Sequence, residues 1–165
     1  MQDVLKPNSA QRMVAWLEEA IKPLEDPTDI VRAVFPADGY DTLVMVNHIE
    51  FASICEHHLL PFTGKATVGY LPGDFIIGLS KLARLVEWAS SRASLQEAIT
   101  TRIAEALEYL LKPRGVMVVL YDCEHTCMSV RGVKARHART TTSAVRGIFK
   151  DAPAARAEFL ALMKA

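Results

Sequence analysis

Two amphipathic segments stand back to back in the middle of this chain, and β-forming runs flank them on both sides. Residues 80–90 place Leu82, Leu85, Val86 and Ala89 at helical spacing. Residues 95–111 do the same with Leu95, Ala98, Ile99, Ile103, Ala106, Leu107 and Leu110, until Pro113-Arg114-Gly115 stops the pattern. Each segment has one apolar stripe, so each needs a surface to cover it. Before them, residues 42–51 (TLVMVNHIEF) and 65–71 (KATVGYL, ended by Pro72-Gly73) read as strands; after them come 115–121 (GVMVVLY) and 140–145. Two strands, two helices and two strands predict an α+β domain with the helices packed on one sheet face.

The flanks add little to this frame. Residues 10–22 read as a helix with Met13, Trp16, Leu17 and Ala20 along one stripe and Ser9 as its N-cap. Pro23, Pro27 and Pro36 then make the stretch to residue 41 mostly loop, and 153–164 form a closing helix with Pro153 near its start. The expected division is an N-terminal helix and connecting loop over 1–41, then the main domain over 42–165. The chain's 165 residues suffice for one core. Lys+Arg and Asp+Glu both number 19, so the overall charge gives no case for nucleic acid or an anionic membrane, and it favours self-association. The first residues lack a basic segment followed by an apolar core, and no apolar run approaches the ~20 residues that span a bilayer. A reducing cytoplasm is the expectation. There, three cysteines at spacings that form no disulfide framework point to metal.

The chemistry concentrates in Cys55-Glu56-His57-His58 and His125-Thr126-Cys127. Cys55 and His58 stand three apart, a spacing at which a tight turn or a helical start aims both at a single ion. Cys127 supplies a third ligand, with His57 and His125 beside the set. Two thiolates and an imidazole suit zinc, and three protein ligands leave a position for water, whose pKa falls to about 7. That arrangement argues for an enzyme. A closed structural site, with Cys123 as fourth ligand, stays open on spacing alone.

These residues resemble the GTP cyclohydrolase I family. The matching blocks are Cys55-Glu-His-His58 with Pro61-Phe62 and Gly64-Lys65; Gly78-Leu-Ser-Lys81 with Arg84; Gln96-Glu97 with Thr100; His125-Thr-Cys-Met128 with Arg131-Gly132-Val133; and Thr140-Thr-Thr-Ser143 with Gly147-Ile-Phe149. Their collinearity over about residues 42–160 carries the resemblance. It implies the tunnelling fold: an antiparallel four-stranded sheet with two helices on one face. It also implies a homo-oligomer, commonly a decamer of two pentamers, with active sites at subunit interfaces.

The implied zinc ligands, one ion per subunit, are Cys55, His58 and Cys127, which leaves Cys123 outside. The implied reaction is hydrolysis of GTP at C8, release of formate and rearrangement to 7,8-dihydroneopterin triphosphate. His125 is the implied proton carrier, and His57 touches substrate, with phosphate as its target. Lys81, Arg84 and Arg131 hold the triphosphate, Ser80 lies near the sugar, and Gln96 and Glu97 read the base. Arg12 is a further phosphate candidate. For Glu97 a rival reading is a capping box, Ser94-Leu-Gln-Glu97, in which the carboxylate merely caps a helix. Departures from the family pattern stand at Ala15, Ser94 and Ala138, which bears on the phosphate end and pocket wall. The alternatives are the same chemistry on another purine nucleotide, or a zinc-stabilised module without catalysis.

Overall fold

The computed structural model describes residues 6–21 and 23–164. Its elements in chain order are α1 (Ser9–Ala20), α2 (Pro27–Val31), β1 (Phe35–Pro36), β2 (Val44–Cys55), β3 (Leu60–Leu71), β4 (Phe75–Ile76), α3 (Leu79–Ser90), α4 (Gln96–Leu111), β5 (Gly115–His125), α5 (Thr126–Ser129), β6 (Thr140–Gly147), α6 (Ile148–Asp151) and α7 (Pro153–Leu162). The main sheet runs β2-β3-β5-β6, antiparallel throughout; β1 and β4 form a separate two-stranded pair. The α+β expectation and the order of the four main strands hold.

Both faces of the sheet are covered, which explains why the run in β5 is apolar without alternation. Val116, Val118 and Leu120 point into the main core with Leu82, Leu85 and Val86 of α3 and Ile99, Ile103 and Leu107 of α4. Met117 and Val119, on the opposite face, pack with Phe149 of α6 and Phe159 of α7. Period two thus splits one strand between two cores. β2 and β6 are the edges of the main sheet.

The structure differs from the sequence-based bounds where turns and bulges intervene. β2 continues to Cys55 and β3 starts at Leu60, so the metal motif is a hairpin turn between two long strands. α1 begins at Ser9 with Asn8 as its cap residue, and no side-chain capping bond forms there; the predicted end at residue 22 lies outside the described residues. Within the supposed loop, Asp26 caps α2 by accepting from the Thr28 amide at 2.8 Å, with Pro27 at the first helical position. No helix among the described residues is long and apolar enough to cross a membrane.

Candidate active site

The β2–β3 turn is a single tight loop. Cys55 pairs with Leu60, and the Cys55 carbonyl accepts the amides of His58 at 3.3 Å and Leu59 at 2.8 Å. Leu59 completes the reversal with a φ of 52°. His58 therefore sits on the same turn as Cys55. A second loop buttresses the first: the Ser94 amide donates to Ile54 O at 2.8 Å, and the Glu56 amide donates to Ser94 O at 3.3 Å. Arg102 holds that loop, donating from Nη1 to Ala89 O at 2.6 Å and from Nη2 to Ser94 Oγ at 3.1 Å.

The end of β5 arrives from the other side. His125 stands opposite Phe62 in the β3–β5 ladder, and the two rings stack with centroids 4.3 Å apart and planes 10° from parallel. Thr126 Oγ1 donates to Pro61 O at 2.6 Å, which fixes the start of α5 and with it Cys127. One ligand atom each from Cys55, His125 and Cys127 then lie within 4.8 Å of one another. Tetrahedral donors 2.0–2.3 Å from zinc stand about 3.5 Å apart, so the group is close to the size one ion demands. Burial pushes the Cys127 thiol up, and the facing Cys55 adds to this through charge and hydrogen bonding, while Arg131 pulls it down. A thiol whose ionisation is opposed by its neighbour belongs to a donor set that a divalent cation would relieve. The residues present fit a metal.

The remaining predicted residues fall into three groups. Gln96 and Glu97 share the first turn of α4, Gln96 buried and Glu97 exposed. The Gln96 amide does not face solvent: it bonds His125, Thr140 and Thr142. The helix cap is Leu95, with no side-chain capping bond, and Ser94 Oγ is taken by Arg102, so the capping box for Glu97 does not form. Glu97 instead acts electrostatically on His125, opposing the fall in pKa that burial imposes there.

His57 and His58 are exposed, their rings edge to face with centroids 6.1 Å apart, and His58 is not in the three-residue group. Ser80 and Lys81 are not brought to this site. They occupy the first turn of α3, beyond Ile77, whose amide donates to Tyr70 Oη at 3.1 Å. From Leu60 to Tyr70 the strand spans roughly 30 Å. Arg84 lies one turn further along α3 and Arg131 follows α5; both are exposed. Arg12 bonds its own segment, at 3.5 Å to Pro7 O and Ser9 Oγ.

Cys123 stays outside the group. It is buried in the main core beneath Gly64, donates to Tyr121 O at 3.4 Å, and burial raises its pKa to about 11. Phe62, Thr142 and Arg102 are the supports sequence reasoning left without a role. Thr142 meets Gln96 across 46 residues of chain, and no local pattern announces such a contact.

Fold and site together define an α+β tunnelling-fold protein with a Cys/His group able to hold a metal at one end of its sheet. The fold is shared with the archaeosine synthase QueF-Like in its apo form, at a TM-score of 0.51 and 16% identity, covering 64% of this chain and 93% of that one. The family model for GTP cyclohydrolase I matches residues 2–164. GTP cyclohydrolase 1 of Bacillus subtilis (strain 168) is 52% identical over 141 residues, covering 85% of this chain and 73% of that protein. GTP cyclohydrolase 1 of Helicobacter acinonychis (strain Sheeba) is 42% identical over 158 residues, covering 96% and 86%. This chain belongs to the GTP cyclohydrolase I family.

Proposed function

We propose that this chain hydrolyses GTP at C8, releasing formate and rearranging the remainder to 7,8-dihydroneopterin triphosphate. The observation that carries the reading is the convergence of Cys55, His125 and Cys127 in a chain of this family. Cys55, His58 and Cys127 would hold one zinc per subunit. His58 shares its turn with Cys55, while His125 is already engaged by Phe62 and Gln96. When bound, the metal supplies Lewis-acid activation of water near neutral pH.

The chain's own groups supply the rest. His125 carries protons to and from the purine ring nitrogens as water adds at C8 and the five-membered ring opens. Burial lowers its pKa, so the neutral, proton-accepting form predominates at neutral pH. Glu97 accepts from guanine N1–H and the 2-amino group, a donor pair found side by side on guanine. His57 and Arg131, both exposed near the cysteines, meet the substrate's phosphate side.

Ser80, Lys81 and Arg84 enter from a neighbouring subunit, since their own site lies well along the sheet from them. The open edges β2 and β6 favour such assembly, as a ring of sheets closed into two stacked pentamers. Two reduced thiols at the centre suit a cytoplasmic enzyme. Incubation of metal-loaded protein with GTP, measuring formate and the fluorescent oxidised pterin, tests the reading. Both products are expected. Formate from a different purine nucleotide but not from GTP would reassign the substrate, and inertness to all purines would leave a structural metal module.

A further inference from the structure

Gln96 is 3% exposed, and its amide lies within a chain of hydrogen bonds whose direction can be worked out from the far end. Thr100 Oγ1 donates at 2.8 Å to the Gln96 backbone carbonyl, which can only accept. That uses the single hydroxyl proton of Thr100. The 2.6 Å contact between the Thr100 and Thr142 hydroxyls must then be donated by Thr142. With its proton committed, Thr142 can only accept from Gln96, at 3.1 Å, so the amide nitrogen faces Thr142. An amide orientation that is often ambiguous is fixed here by a one-way chain.

Gln96 Oε1 consequently faces the other way. It accepts Thr140 Oγ1 at 2.6 Å and meets His125 Nε2 at 2.8 Å. A carbonyl oxygen does not donate, so Nε2 bears the hydrogen. We propose that Thr100 and Thr142, acting through Gln96, are positioning residues that hold His125 as its Nε2–H tautomer and leave Nδ1 as the ring's one basic atom. A flip of the imidazole would set a carbon against Oε1 and forfeit the bond between ring and amide, leaving Oε1 with Thr140 alone. The stacked Phe62 ring keeps the imidazole plane, and the amide chooses which nitrogen works. This deepens the proton-transfer reading of His125 and rests on it for its catalytic consequence; the tautomer itself does not.

Two measurements test the proposal on the metal-loaded oligomer. Neutron diffraction from deuterium-exchanged crystals should show a deuteron on His125 Nε2 and the Thr142 deuteron directed at Thr100. A bare Nε2 would overturn the proposal. Thr142→Val keeps the side-chain shape and removes the proton that fixes the amide. It should lower kcat about tenfold or more, with KM for GTP within about twofold and metal content unchanged, and Thr142→Ser should restore kcat to within about twofold. Undiminished kcat in Thr142→Val, or an equal loss in Thr142→Ser, would overturn the positioning role. Should His125→Ala prove fully active, the proton-transfer reading fails, while nuclear density still decides the tautomer.

Discussion

Three thiols in one chain meet two fates, set by what surrounds each. Cys55 and Cys127 face one another at the sheet's end, while Cys123 lies in the core under Gly64. Cys123→Ala should leave metal content undiminished; loss of metal on elemental analysis would bring back a four-ligand site. The same thiol has a pH signature. Its pKa is raised from 9.0 to about 11, so above pH 9 the unfolded chain ionises there before the folded one does. Stability should therefore fall between pH 9 and about 11, by at most about 3 kcal/mol, and Cys123→Ala should flatten that part of a denaturant-derived profile. His125→Ala should abolish turnover and retain metal, since the ring's bonds are to Gln96 and Phe62. Glu97→Gln should raise KM for GTP tenfold or more, at about 1.5–3 kcal/mol for a charge-assisted bond, and an unchanged KM would remove Glu97 from base reading.

The helices and strands show what a sequence can disclose about elements and where it stops. α3 and α4 are legible within a residue or so because their stripes are long and uninterrupted. β3 is harder: the expected strand starts at residue 65, yet β3 starts at Leu60, with Pro61 paired to Ile54 and Gly64 at a register shift where Cys123 comes close. Pro27 misleads in the other direction. It ends nothing; it opens α2 behind the Asp26 cap. The convergence of Cys55 and Cys127 was legible in the sequence, whereas the hydrogen bonds that orient His125 depend on strand register, which no local pattern records. Close approach at Gly69 was equally hidden. A Cβ there would stand 2.8 Å from the Phe159 ring and 3.0 Å from Val44 O. Gly69→Ala should cost about 1–3 kcal/mol in thermal or denaturant unfolding through displacement of α7 from the sheet, with metal content unaffected.

At the scale of the whole molecule, the proposed entry of Ser80 and Lys81 from a neighbouring subunit would make one chain half a site at each end. Lys81→Ala and His125→Ala should each be nearly inactive as homogeneous oligomers. Mixed and reassembled in equal amounts, they should recover about a quarter of wild-type activity, because a junction with both intact halves arises by chance at that frequency. No recovery from well-mixed oligomers would place Lys81 outside its neighbour's site. A native mass several times the 18.2 kDa chain is expected alongside. The account as a whole turns on whether a metal held by Cys55 and Cys127 opens the guanine ring. Formate released per GTP consumed, measured with elemental analysis on wild type and Cys127→Ser, tests that most directly. One formate per GTP, lost together with the metal in Cys127→Ser, is the predicted result; metal-replete wild-type protein that releases no formate, or a metal-free variant that still does, would contradict it.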